Sequence, residues 1–362
     1  MKPVLHDGSS RTIDFSQGTR IGTLTDCISC RATEERNGPF ELELQYAVSG
    51  RYYDSIVNGN VVIAVPSDGA EETAFDIYKV SRPMNGRIKV NARHVTYRMR
   101  YTMVRPGVVT SPLEFYLSGE YYGGANSLLV NPCAFKVRSD FSVSGNMNIA
   151  TPRTLRETLQ GSAGSVIQTF GGELEWKTDG AYLHSSRGVT RTTGIRYGKN
   201  LIDLKQEEAI DNMYDAAYPY WTDGQNVVTG DIQKFTTNAQ RVMLLDLSSY
   251  FDSQPTVAQL NSRCQSYVNA NCRGVPTVSL SVKFAPLWLA LGYEDLDVER
   301  VQLCDEVPVI FEQLGVTATA KVNKTDFNVL TERYNSIELG SSRITASKTI
   351  ARLTKATGVS LY

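Results

Sequence analysis

The segment Phe40-Glu41-Leu42-Glu43-Leu44-Gln45-Tyr46 alternates apolar and polar residues without a break, directly after the turn sequence Asn37-Gly38-Pro39. Successive side chains of a strand point to opposite faces, so this segment must be extended, with one face buried and the other wet. Similar runs recur through the first hundred residues: Leu24 to Arg31, Val61 to Val65, Phe75 to Val80 and Ile88 to Val95. Asn58-Gly59-Asn60 and Asn85-Gly86 punctuate them. The second is a favoured hairpin dipeptide and lies between Tyr78-Lys79-Val80 and Ile88-Lys89-Val90. Short strands with turn signals at this density predict a small antiparallel barrel or sandwich.

The texture then changes. Residues 101–195 carry more Gly, Ser, Asn and Pro. Thr151 is placed to cap a helix with Pro152 in its first turn, Leu155 and Leu159 on one face and Gly161 at its end. Strands are expected at Glu173 to Trp176 and Tyr182 to His184. From 196 onward the β pattern returns with Leu201 to Leu204. Gln206 to Ala217 reads as a short helix (Ala209, Met213 and Ala217 at i, i+4, i+8), closed by Pro219. A longer helix is expected between Ser253 and Asn271, with Val257, Leu260, Cys264, Tyr267 and Val268 as its apolar stripe and Gly274 as its stop. Thr277 to Phe284 alternates cleanly, and Val307 to Phe311 and Val316 to Val322 complete a second strand cluster. The two clusters hint at an internal duplication: a turn-like approach leads into Val61-Val62-Ile63 in one and Val307-Pro308-Val309 in the other.

Composition narrows the function classes. A length of 362 residues predicts two or three domains at roughly 100–200 residues each. Lys plus Arg number 37 against 38 Asp plus Glu, a balance that argues against a general nucleic-acid binder. With 41% apolar and 21% charged residues the chain is expected to be folded. No apolar run approaches the ~18 residues of a membrane helix, and Met1 to Asp7 lacks the apolar core of a secretory signal. Synthesis and folding in a cytosol are expected. Six cysteines in this length are no disulfide framework, and only Cys27-Ile28-Ser29-Cys30 has suggestive spacing. That pair sits in a strand-like run, and Cys133, Cys264, Cys272, Cys304, His6, His94 and His184 are scattered, so no metal site is expected.

Motifs for catalysis are missing. Gly161, Gly164, Gly171 and Gly172 form no phosphate loop, and no His-Glu-x-x-His, Gly-x-Ser-x-Gly or Ser-x-x-Lys set occurs. The acid pairs Glu34-Glu35, Glu71-Glu72, Glu207-Glu208 and Glu294-Asp295 are expected to be solvated surface. His94, in Asn91-Ala92-Arg93-His94-Val95-Thr96-Tyr97, reads as a structural hydrogen-bonder rather than a general base. No catalytic, cofactor-binding or metal-binding residue is therefore assigned, no cofactor is expected, and the chain is read as not an enzyme. The 19 tyrosines, with Tyr52-Tyr53, Tyr121-Tyr122 and Tyr218-Pro219-Tyr220-Trp221, lean toward an interaction protein.

Several segments, taken in order, resemble one family. Leu24-Thr25-Asp26-Cys27-Ile28-Ser29-Cys30 and Glu34-Glu35-Arg36-Asn37-Gly38-Pro39-Phe40-Glu41-Leu42-Glu43 look like the opening of phage tail-tip and baseplate hub proteins, also known as prophage endopeptidase tail or tail-associated lysin. Phe75-Asp76-Ile77-Tyr78, Ala92-Arg93-His94-Val95-Thr96-Tyr97, Arg187-Gly188 and Tyr197-Gly198-Lys199-Asn200-Leu201 follow in the family's order. Leu303-Cys304-Asp305-Glu306-Val307 resembles its Leu-Gly-Asp-Thr-Val, with Cys304 in place of the usual Gly, and Arg333 to Gly340 resembles its closing strand.

The resemblance implies a mainly β fold with inserted short helices. Two related antiparallel β-barrel tube-like domains would span 1–100 and 196–340, with an insertion domain at 101–195, a helical insertion at 253–273, and a tail or short helix at 341–362. It implies the structural hub of a bacteriophage or phage-tail-like particle: a homotrimeric ring that closes the tail tube. The ring would link a distal tail, tail-tube or baseplate ring to fibre, spike or receptor-binding components, and would meet the tape-measure protein. No membrane and no specific nucleic acid are expected as partners, and the location implied is the distal end of the virion tail. The family's lytic residues are expected to lie outside this chain. The alternatives are a cell-wall-degrading tail enzyme (peptidase or glycosidase) and a carbohydrate-binding module stacking sugars on Tyr52, Tyr53, Tyr121, Tyr122 or Trp221.

Overall fold

The computed structural model describes residues 2–10, 13–15, 18–82, 85–111, 128–131, 133–161, 164–191, 195–196, 201–209, 214–235, 239–251, 253–271, 277–284, 301–311 and 316–340. The expected tail at 341–362 lies outside them, as do Tyr121, Tyr122, Gly274 and Glu294 to Asp297.

The first part of the chain forms β1 (Val4–His6), β2 (Arg20–Thr23), β3 (Cys27–Glu35), β4 (Phe40–Ala47), β5 (Val61–Ala64), β6 (Thr73–Ser81) and β7 (Arg87–His94). They join antiparallel in the order β3-β4-β7-β6-β5-β1-β2. In β4, Phe40, Leu42, Leu44 and Tyr46 are buried, as the alternation requires. A bulge in β3 between Cys27 and Ser29 turns both Cys27 and Cys30 inward, where they remain free thiols.

The middle of the chain adds β8 (Met103–Val104), β9 (Gly107–Val109), β10 (Lys136–Ser139), β11 (Met147–Ile149), β12 (Arg153–Thr154), α1 (Leu155–Leu159), α2 (Val166–Phe170), β13 (Glu173–Lys177) and β14 (Gly180–His184). Helix α1 begins later than the sequence predicts. Thr154, not Thr151, is the cap: its hydroxyl accepts the Glu157 N–H while the Glu157 carboxylate accepts the Thr154 N–H. Upstream, Arg153 and Thr154 are held extended by pairing with Met103 and Val104. Leu155, Leu159, Trp176 and Leu183 join the same hydrophobic cluster as Leu5, Phe40, Phe75 and Val90.

The last part forms β15 (Ile195–Arg196), β16 (Leu201–Ala209), β17 (Ala216–Thr222), β18 (Val227–Thr229), β19 (Gln233–Lys234), β20 (Val242–Asp246), α3 (Val257–Asn271), β21 (Thr277–Phe284), β22 (Glu306–Phe311), β23 (Val316–Asn328) and β24 (Arg333–Leu339). The expected helix from Gln206 to Ala217 is absent from its described residues. Gln206 to Ala209 continue β16, which pairs with β21 from Leu201↔Phe284 to Ala209↔Thr277, and Ala216 and Ala217 open β17. A weak alanine spacing lost to a long cross-strand ladder. Pro219 lies inside β17, between the stretch paired with β19 and the stretch paired with β18, where it interrupts neither antiparallel ladder.

Helix α3 buries Leu260, Cys264 and Val268, as its stripe predicts, while Val257 is exposed. It packs on the small sheet β18-β17-β19, with β20 beside β17, around a core that includes Ala217, Trp221, Leu245 and Leu247. The insertion expected at 253–273 is thus part of a larger sheet-and-helix unit set between the paired strands β16 and β21. Trp221 belongs to its core and is no exposed stacking platform.

The two strand clusters form one sheet. β23 pairs antiparallel with β3, from Lys324↔Glu35 to Asn328↔Arg31, so the path runs β16-β21-β24-β23-β3 and on to β2. With β15 and β22 attached at the side of β23, the sheet has 13 strands. Among the described residues it does not close on itself, and β16 and β2 stand at its two ends.

Candidate functional site

Three stretches carrying the sequence resemblance are distant in the chain and meet where β23 joins β3. They are Glu34 to Asn37, at the end of β3 and in its turn; Arg187-Gly188, after β14; and Leu303 to Val307, leading into β22. The expectation that the pair Glu34-Glu35 is solvated fails for Glu34, which is only 6% exposed. Strand alternation turns it inward, and its Oε1 lies 2.6 Å from Arg187 Nη1. Glu35 points the other way and meets Lys324 at 2.8 Å. The exposed pair Glu71-Glu72 does match the solvated reading.

The buried Glu173 links the middle segment to both clusters. One of its oxygens accepts the Arg187 backbone N–H at 2.8 Å. The other faces Lys321 Nζ at 2.5 Å and Arg36 Nη1 at 3.5 Å. Burial pushes the Glu173 carboxyl up, but the Lys321 ammonium, the Arg187 N–H and the Arg36 guanidinium outweigh it and hold it below the usual range. Burial likewise opposes the charge of Arg187, yet Glu34 holds its pKa above the ordinary arginine value.

The second and third stretches lock together through the backbone. A Cβ on Gly188 would overlap the Cys304 carbonyl, so only glycine fits there. Cys304 itself has φ 72, the left-handed conformation that favours glycine. The turn the family resemblance places at this point therefore survives the departure from Gly. Burial and the nearby Glu173 push the Cys304 thiol up to about 12, so it stays protonated and inert. Asp305, 2% exposed, accepts the Val189 N–H, the Gln302 N–H and Arg191 Nε at 2.8–2.9 Å. In the first stretch Asn37 reaches β13: its Oδ1 accepts the Leu174 N–H and its Nδ2 donates to the Gly172 carbonyl. The carboxylates are neutralised by cations and N–H donors, so the arrangement supplies rigidity where three parts of the chain meet.

His94 is fully buried at the end of β7, stacked on Phe40 at 4.9 Å and edge-on to Phe75. Its Nδ1 accepts the Thr96 N–H, and burial, with Arg156 and Arg187 nearby, pushes its pKa well down. Arg156 is held between the rings of Tyr97 and Trp176, at 3.8 and 3.9 Å from their centroids. Among the described residues no cluster of His, Cys, Asp and Glu has metal-binding geometry. His6 lies on Phe15 and Thr19.

His184 sits differently. Its Nε2 is 3.1 Å from Glu175 and its Nδ1 2.6 Å from Asp140, and these carboxylates, Glu175 first, raise its pKa. The folded state therefore holds this proton more tightly than the unfolded chain does. Its contribution is fully present below the unfolded value of ~6.5 and is lost as pH rises through the folded value. The stability difference between wild type and His184→Gln is expected to be about 1 kcal/mol at pH 6 and to shrink toward pH 8. Paired urea unfolding at the two pH values measures it; a difference that grows with pH contradicts the assignment.

No protein-family model matches the chain, and no curated protein matches it either. Solved structures do, and they define the fold class as that of phage tail proteins, the family type that the sequence motifs resemble. Prophage tail protein gp18 of Listeria monocytogenes EGD-e superposes with a TM-score of 0.59 over 99% of this chain and 100% of its own, at 12% identity. The 43 kDa tail protein of prophage MuSo2 from Shewanella oneidensis gives 0.59 over 93% and 97%, at 13% identity. A tail protein from Neisseria meningitidis MC58 gives 0.58 over 95% and 96%, at 10% identity.

Proposed function

We propose that this protein is a structural hub of a bacteriophage tail tip, or of a phage-tail-like particle, and that it acts without catalysis. Three copies form a ring that closes the tail tube and links a distal tail or baseplate ring to fibre or spike components, with the tape-measure protein as a further partner. The observation that carries this reading is a fold shared along nearly the whole chain with three prophage or bacterial tail proteins.

The sheet supports it physically. Its ends, β16 and β2, are different strands. Joining unlike edges between copies is a head-to-tail contact, which closes into a ring when the rotation fits. Closure would also cover strand edges that otherwise invite aggregation. In this reading the strand clusters at 1–100 and 196–340 are the two tube-like domains, and 101–195 is an insertion carried on the first.

Absolute mass by light scattering behind a sizing column tests the reading. The expected result is a species of three times the 40.1 kDa chain mass, with a central channel in negative-stain images. A chain that stays monomeric at high concentration and also fails to bind a purified tail-tube or distal-tail ring sinks the proposal.

A further inference from the structure

A pocket of about 430 Å³ lies at the end of β7, away from the ion-paired junction. It is lined by Tyr97, Arg98, Arg100 and Tyr101 of the 3-10 turn Val95–Tyr101 and by the Asn58-Gly59-Asn60 turn. Also in the lining, Asp76 of β6 stands opposite Arg93 of β7. A bulge in β6 between Ile77 and Lys79 leaves Tyr78 without a cross-strand partner, and its ring lies over Arg93.

The charges in this pocket do not balance. Asp76 is the one carboxylate in the lining, and Arg98 takes it with a two-pronged contact at 2.6 and 2.8 Å. Arg93 has Asp76 and Glu41 as its cross-strand neighbours but closes no ion pair with either; its guanidinium carbon is 4.7 Å from the Tyr78 ring centre and 5.5 Å from that of Tyr97. Arg100 lies 4.7 Å over the Tyr101 ring and donates to the Tyr101 hydroxyl. Glu41 neighbours Arg93 across the sheet but stands outside the lining. Two cations thus face the pocket with no ion-pair partner among the described residues.

A guanidinium packed over an aromatic ring still has N–H donors that match a planar carboxylate. Arg and Tyr are also the residue types that dominate the energy of protein interfaces. A nucleic-acid backbone instead needs a basic stripe, and the same sheet face offers Glu41 and Asp76 beside the arginines. We propose that this pocket docks an acidic segment of a protein partner, with neighbouring side-chain carboxylates engaging Arg93 and Arg100.

The test uses the full chain and a fluorescein-labelled octaglutamate peptide, followed by anisotropy. Saturable binding is expected, weakening as salt rises. Arg100→Glu, at an exposed position, and Arg93→Gln are each expected to weaken it at least fivefold. Arg100→Glu keeps the test open should Arg93→Gln loosen the fold, and thermal melts identify that case. Absence of saturable binding overturns the proposal, as does binding untouched by Arg100→Glu. A single-stranded oligodeoxynucleotide of equal charge that binds more tightly and displaces the peptide overturns it in favour of nucleic acid.

Discussion

Replacing Arg187 by alanine is expected to lower the unfolding free energy by about 3 kcal/mol, because it strands a buried carboxylate. Glu34 is then left at 6% exposure with its 2.6 Å partner gone. Glu34→Ala leaves the opposite orphan, a guanidinium that still reaches the Leu174 carbonyl at 3.4 Å, and is expected to cost somewhat less. The double variant is the informative one. Removing both charges abolishes the desolvation penalty along with the attraction, so Glu34→Ala with Arg187→Ala is expected to lose less than the sum of the single losses. Urea denaturation of the four proteins closes the cycle. Simple additivity would mean that the pair does not couple, and would remove the ion-paired junction from the account of how the sheet halves hold together.

The second large effect is expected at Phe327, which is 1% exposed in β23 and directly opposite Ala32 of β3. Its ring packs edge-on to Tyr334 at 5.1 Å and belongs to the cluster built mainly by the first part of the chain. Phe327→Ala should cost about 3–5 kcal/mol, from lost transfer energy and a residual cavity. Phe327→Leu, closer in volume, should cost under about 1.5 kcal/mol. The location of the loss separates this from a generic core defect. Hydrogen exchange should speed up first at Arg31 to Glu35 and Lys324 to Asn328, while the β4–β7 ladder stays protected. Uniform loss of protection would show that the two clusters unfold as one unit, and the β3–β23 seam would have no separate standing.

The strands were legible where a single face decides the pattern. Phe40 to Tyr46 alternates because one side is core and the other is not, and it is a strand at nearly those bounds; Thr277 to Phe284, with the same alternation, is a strand as well. The stripe of α3 was legible for the same reason, at helical period. Gln206 to Ala209 misled, since an alanine spacing says little and the pairing with β21 lies seventy residues away in the chain. The helix start at Thr154 was misplaced because Thr151-Pro152 is good cap chemistry in isolation; the pairing of Arg153 and Thr154 with β8 decides otherwise.

The junction was half visible. Arg187-Gly188 and Leu303 to Val307 were singled out as motifs, but no local pattern says that Glu34 is their partner 153 residues away. One signal was available: an acid at an inward position of an alternating strand needs a cation, and Arg187 is the arginine carried by a second motif.

The unit between β16 and β21 leaves the sheet after Ala209 and re-enters at Thr277, and those two residues are partners in the same ladder. To the sheet, everything in between is a single loop. The entropy of closing a loop grows only with the logarithm of its length, so the ladder is nearly indifferent to what the loop contains. The unit brings its own hydrophobic core, built from Ala217, Trp221, Leu245, Leu247, Leu260, Cys264 and Val268. The hairpin is in effect a socket: a scaffold can keep its strand register while exchanging one plug-in fold for another at this point, acquiring new outer surface without relearning how to fold.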